Sequence, residues 1–310
     1  MKKTNLFAAV LAAMALTACS NDNEIQDGSV QNAPRFSATI GVAPNRAFDQ
    51  TWENGDQIGI TGTTGGKTYT NVAYATTGDG NFSVVTAASS IYYQDDNEVT
   101  FTAYYPYAAN TDITADTHNQ ATQKTFDYLW SQAAGKKAEP NVAFSFAHKM
   151  AKVVLTVKKG ADVSFDEVKN AVLTLAGFKN QGAFDVVNGT ATATGEAASF
   201  VFANGENAGQ MAPLSADEDN ETVSYTLIFF PQEFDAALDF TAAITGMQSF
   251  GAKLDFTAAN TAAGDTDAKN AWVAGRQYNL SVTLNKTAIT VNGCTIQAWD
   301  ETDGGNFEAK

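Results

Sequence analysis

Two cysteines, two histidines, three arginines and six prolines in 310 residues remove several kinds of protein from consideration. Two cysteines cannot build a disulfide framework, so the fold must rest on its packed core. His118 and His148 have no second ligand at metal spacing, and a packed or strand-end role fits each better than zinc binding. Basic residues are scarce as well: 19 Lys and Arg stand against 34 Asp and Glu, for a formal charge of −15. A surface of that sign repels polyphosphate, which excludes nucleic acid as a partner. No apolar run reaches the about 20 residues that cross a bilayer as a helix.

The apolar run that does occur covers residues 6–18, preceded by Lys2 and Lys3 and followed by Cys19. That pattern reads as a lipoprotein signal peptide, residues 1–18, with small residues at Thr17 and Ala18 before a cysteine that becomes acylated. Acyl chains on Cys19 would tether the protein to a membrane, each buried methylene contributing about 0.8 kcal/mol. Removing residues 1–18 takes away two lysines and no acid, so the formal charge falls from −15 to −17. Cys294 is then the one cysteine without an assigned role, and a small buried hydrophobe is its default.

Residues 19–35 are polar and acidic and read as a flexible tether. From Phe36 onward, short stretches alternate apolar and polar residues with period two, as at 99–105 and 278–284, between turns rich in Gly, Asn and Asp. Similar runs at 68–76, 82–86, 151–158, 171–175, 223–230 and 253–257 predict an all-β protein built as sandwiches. Helical signals are confined to 126–134 and 165–172, too short for crossovers between parallel strands, which favours antiparallel sheets. Residues 133–141 lack any apolar side chain larger than alanine and look like a linker, placing two units at 36–145 and 146–310.

Catalytic readings fail in turn, and neither an enzyme nor a cofactor or metal is expected. Gly62-Thr63-Thr64-Gly65-Gly66-Lys67-Thr68 resembles a phosphate loop but is one residue short and precedes a strand pattern, so it reads as a hairpin turn. The acidic stretch 214–221 lacks the spaced ligands of a calcium loop and reads as a solvated connection.

Several landmarks in order resemble the fimbrillins and fimbrillin-like lipoproteins of Gram-negative anaerobes. After the lipobox come Arg35-Phe36-Ser37-Ala38-Thr39-Ile40-Gly41-Val42, then Asn45-Arg46-Ala47-Phe48 and Trp52-Glu53-Asn54-Gly55-Asp56. Further pieces are Phe101-Thr102-Ala103-Tyr104-Tyr105-Pro106, His148-Lys149-Met150-Ala151, Gly182-Ala183-Phe184-Asp185, Ala274-Gly275-Arg276-Gln277-Tyr278 and Ile296-Gln297-Ala298-Trp299. The resemblance implies two tandem transthyretin-like antiparallel β-sandwich domains and a type V fimbrial subunit or accessory protein at the outer membrane. It also implies assembly with other fimbrial subunits: an arginine-specific protease cuts between Arg46 and Ala47, the first strand leaves, and another subunit's strand fills the groove.

The residues agree with that scheme. Phe36, Ala38, Ile40 and Val42 share one face of the first strand, so its removal would expose an apolar groove. Refilling four such positions is worth on the order of 5–10 kcal/mol before ordering costs. The segment 288–299 is a candidate donor, or else the last strand of its own sheet. The alternative function is a surface lipoprotein that does not polymerise and binds a glycan or host ligand, through Tyr104, Tyr105, Tyr107, Tyr128 and Trp130 as an aromatic platform.

Overall fold

A computed structural model describes residues 32–41, 51–202 and 214–299. The chain is all-β, as the alternation predicts. The first part contributes β1 (Arg35–Ile40), β2 (Gln57–Thr64), β3 (Lys67–Thr76), β4 (Asn81–Val84), β5 (Val99–Tyr105), β6 (Ile113–Asp116), β7 (Leu129–Gly135) and β8 (Asn141–His148). All of these except β6 close into a barrel in the order β1-β4-β3-β2-β5-β7-β8. Inward residues Phe36, Ile58, Ile60, Phe101, Val142 and Phe144 fill it.

The β2–β3 connection is the hairpin expected at 62–68: Thr64 pairs with Lys67, and Gly65 and Gly66 take φ of +53° and +79° between them. Backbone of that hand suits a two-residue turn and favours glycine.

The second part begins with β9 (Ala151–Lys159), α1 (Phe165–Lys169), β10 (Val172–Phe178), β11 (Gln181–Asp185), β12 (Thr190–Thr194) and β13 (Ala198–Phe202). It continues with β14 (Leu214–Asp217), β15 (Thr222–Phe229), β16 (Gln232–Glu233), β17 (Leu238–Ala243), β18 (Phe250–Leu254), α2 (Thr257–Ala262), β19 (Ala271–Trp272), β20 (Arg276–Leu284) and β21 (Ile289–Ala298). Two sheets, β14-β15-β9-β20-β21 and β13-β10-β17-β18, enclose a core that includes Leu155, Phe200, Phe229, Trp272 and Tyr278. The helix at α1 is shorter than its pattern suggested, because β10 starts at Val172. Ser164 and Glu167 cap it reciprocally: the serine hydroxyl accepts from the Glu167 N–H, and the Glu167 carboxylate accepts from the Ser164 N–H.

Two pairings depart from the antiparallel expectation: β1 runs parallel to β8, and β9 parallel to β20. A parallel pair needs a long connection, and here it runs through the intervening strands.

The linker reading of 133–141 is corrected. These residues finish β7, turn through a Lys136–Glu139 bridge and start β8. The glycine at 135 has a steric cause: a Cβ there would meet Val142 at 2.5 Å and the Tyr93 hydroxyl at 2.6 Å. In the helix expected at 126–134, residues 129–134 are instead part of β7, which pairs along its length with β5, and 126–128 form the turn before it. The last barrel strand ends at His148, and β9 begins at Ala151.

The two parts are joined by more than chain connectivity. β6 leaves the first part to pair with β11, next to β12. A third core at this junction holds Tyr104, Phe126, Tyr128, Met150, Phe184, Ile228, Phe230 and Trp299, with Tyr128 stacked on Phe184 at 4.6 Å. A cut in the 136–140 turn falls inside the barrel, between β7 and β8, so the fragments are expected to stay associated through the pairing of β8 with β1 and through the junction. Two bands should appear on denaturing electrophoresis while native elution stays unchanged, and separation of the fragments under native conditions would refute both the closed barrel and the junction.

Candidate functional site

The strand β1 is the stave that closes the barrel. Its alternate residues Phe36, Ala38 and Ile40 are buried, while Arg35 and Thr39 face outward. Phe36 is the largest of them: its ring meets Tyr74 at 5.0 Å and Phe101 at 5.2 Å edge-on, and stacks on Phe144 at 5.7 Å. Along one side β1 follows β8 in register from Arg35–Asn141 to Ile40–Phe146, and along the other it meets β4 at Phe36–Phe82 and Ser37–Asn81.

Side chains and loops complete the backbone pairing. The Ala38 N–H donates to Gly80 O and its carbonyl accepts from the Trp52 indole, each at 2.8 Å. Gly80 is required at that approach: its φ is +77°, and a Cβ would stand 2.8 Å from the Ala38 carbonyl oxygen. Gly41 N donates to Phe146 O at 2.9 Å. Without β1, the edges of β4 and β8 and the pockets of Phe36, Ala38 and Ile40 would open to water.

Of the other residues assigned to lipidation, processing and the first strand, Cys19, Val42, Arg46 and Ala47 lie outside the described residues. The remaining arginines are both within β-structure. Arg35 opens β1 with its N–H on Pro140 O. Arg276 opens β20, and its guanidinium takes both oxygens of Asp265 at 2.6 and 2.7 Å. That bidentate bond holds the Asp265 carboxyl below its ordinary value.

The C-terminal segment pairs within its own subunit. β21 lies at the edge of its sheet and runs antiparallel to β20 from Leu284–Ile289 to Arg276–Ala298, with a bulge at Gly293. Opposite the buried Leu284, Val282, Leu280 and Tyr278 stand Ile289, Val291, Cys294 and Ile296, a row of four apolar side chains. Burial pushes the Cys294 thiol up to about 12, which leaves it protonated and a poor nucleophile.

The aromatic platform is not formed. Tyr104 and Tyr128 lie in the junction core, and Tyr105 is buried against Trp52. Trp130 packs over Gly189 and donates its indole N–H to Val186 O at 3.0 Å. In a cleft of about 790 Å³ beside Tyr107, Asp116 and Phe126, Lys124 and Asp56 are engaged with each other and Asp116 accepts from the His118 backbone N–H. Asp56 accepts from Lys124, the Tyr105 hydroxyl and the Glu53 N–H. Burial opposes the charge on Lys124, but its bonds to Glu53 and Asp56 prevail and raise its pKa.

His148 ends β8 as a packed residue, its Nδ1 2.7 Å from Asp127 Oδ1 and its ring stacked on Trp299. The acidic stretch 214–221 is β14 and the β14–β15 turn, where Asp217 accepts from Asp219 and Asn220. No group of three metal-ligating side chains occurs among the described residues, and no helix among them is long and apolar enough to cross a membrane.

Sequence reasoning missed the polar part of the junction. Gln120 is fully buried: its Nε2 donates to Ile228 O at 2.9 Å and to Thr117 O at 2.6 Å, and its Oε1 accepts from Ile228 N at 2.8 Å. Gln123 donates to Thr226 O at 2.6 Å. Two side-chain amides thus act as a short extra strand along β15 where β14, which pairs only with residues 222–225, has ended. The only local signal was a run of nine residues, 117–125, without a large apolar side chain.

Residues 45–299 match the family described as fimbrillin-like. A Bacteroides uniformis protein named "Putative fimbrium subunit Fim1C" is 28% identical over 320 residues, 98% of each chain. Two solved structures, each described as a putative cell adhesion protein, are similar in fold. One, from Bacteroides ovatus, has a TM-score of 0.68 at 23% identity and covers 88% of this chain and 99% of its own. The other, from Bacteroides uniformis, has a TM-score of 0.64 at 27% identity and covers 86% and 99%.

Proposed function

Because the chain belongs to the fimbrillin-like family, we propose that it is a cell-surface fimbrial subunit, exported as a lipoprotein precursor and assembled with its neighbours by strand exchange. The observation that carries this reading is the dual role of β1. One six-residue strand both closes the barrel and fills it with Phe36, Ala38 and Ile40, and it stands directly before the Arg46-Ala47 bond in sequence. In this scheme Cys19 carries the lipid, cleavage after Arg46 frees β1, and a strand from another subunit takes its place by backbone pairing with β4 and β8. The row Ile289, Val291, Cys294 and Ile296 on β21 matches in number the four positions expected for the groove from Phe36, Ala38, Ile40 and Val42 in sequence, so β21 is the donor candidate. Two units, the barrel and the part from β9 onward, would then hold groove and donor respectively.

Mass spectrometry of protein recovered from cell surfaces tests the proposal. Precursor is expected to begin at a lipid-modified Cys19 and assembled protein at Ala47. Arg46→Ala should stay uncut and monomeric. Polymerisation of that variant at the wild-type level would overturn the scheme and favour a lipoprotein that binds a surface ligand without polymerising.

A further inference from the structure

We infer that Trp299 is the latch that holds the C-terminal strand on its own subunit; as a step in assembly this rests on the donor role proposed for β21. The strand is fastened unevenly. Its backbone is paired to β20 throughout, but of its ten residues only Ile289 is buried. Residues 290–293 are exposed, and Cys294, Ile296 and Gln297 are half-covered. An edge strand with one paired side and so little side-chain burial belongs to the segments that open locally before the rest of the fold.

The residue after the strand reverses this. Trp299 is 3% exposed and lies in the junction core with Met150 and Ile228. Its ring stacks on the His148 imidazole at 4.0 Å with 4° between the planes, its backbone N–H donates to Gly275 O at 2.8 Å, and Lys152 Nζ lies 5.5 Å from the ring. The indole N–H has no hydrogen-bond partner among the described residues. Stacking and shape therefore hold the ring, and its withdrawal breaks no hydrogen bond made by the indole.

The seat is built partly by the strand that borders the groove. His148 ends β8, two residues beyond Phe146, whose carbonyl receives the last β1 hydrogen bond from Gly41. Loss of β1 would strip β8 of one neighbour next to the place where Trp299 stacks. Emptying the groove and freeing the donor thus act on one strand, which would keep β21 at home while β1 is in place.

Hydrogen–deuterium exchange on the uncut, full-length protein tests the latch without reference to polymerisation. Trp299→Ala is expected to speed exchange of the β21 amides by about tenfold or more while β2, β3 and β5 keep their wild-type protection. His148→Ala, which removes the stacking partner from the other side, should give the same selective effect more weakly, and Trp299→Phe should restore part of the protection. Unchanged β21 exchange in both alanine variants would overturn the inference. Equal acceleration across the whole chain would do so too, since Trp299 would then be an ordinary core residue. Selective acceleration in a protein whose polymers incorporate a different strand would keep the latch and refute the donor role alone.

Discussion

Phe36→Ala is expected to cost about 3–5 kcal/mol of stability, the range for emptying a buried phenylalanine site. The ring sits at the centre of an aromatic group formed by Tyr74, Phe101 and Phe144, on three other strands of the barrel. These strands are fixed by their own ladders and cannot collapse into the space. Thr39→Ala, an outward position of the same strand, should change stability by no more than about 0.5 kcal/mol. Denaturant midpoints of the uncut protein provide the comparison. A Phe36→Ala loss below about 1 kcal/mol would mean that the groove can close without its plug, and the strand-exchange scheme would lose its driving force.

Gln120→Met should be similarly costly although it preserves the side chain's length. Methionine would fill the space but leave Ile228 N–H, Ile228 C=O and Thr117 C=O without the amide that now satisfies them. At about 1–3 kcal/mol for each buried group left unpaired, and with partial relaxation, the loss should be about 3–5 kcal/mol. The form of the unfolding curve matters as much as its midpoint. Wild-type protein should unfold in one transition because the junction couples its two parts, while Gln120→Met should separate the barrel's transition from that of the second part. A single transition with an unshifted midpoint would show that the junction depends on its apolar core alone.

The strands were legible because their cause is local. Alternation at 99–105 and 278–284 gave β5 and β20 nearly to the residue, since a half-buried strand must alternate. The pairing of those strands was not legible. Nothing within residues 35–40 says that β8, about a hundred residues away, is the parallel neighbour. The segment 126–134 misled for a related reason: its residues tolerate a helix, but the full-length pairing with β5 decides for strand over local preference. At 133–141, the glycine that looked like linker composition is there because β7 passes close to Val142 and Tyr93 at Gly135. Of the candidate site, the groove-facing set Phe36, Ala38 and Ile40 could be read from period two. The junction residues could not. Gln120 and Trp299 owe their roles to partners 108 and 151 positions away in sequence, at Ile228 and His148.

The placement of the three arginines has a consequence for durability. A subunit beginning at Ala47 has shed Arg35 and Arg46 and keeps one arginine, Arg276. That residue stands at the start of β20, between β9 and β21, with its guanidinium clamped by Asp265 and its backbone in the sheet. A protease must draw several residues of extended chain into its cleft, and β20 cannot supply them without being pulled from between its two neighbours. If the proposed cut after Arg46 is made, the shortened subunit offers arginine-specific proteases no easy second target, and it would persist on a surface where such an enzyme stays active.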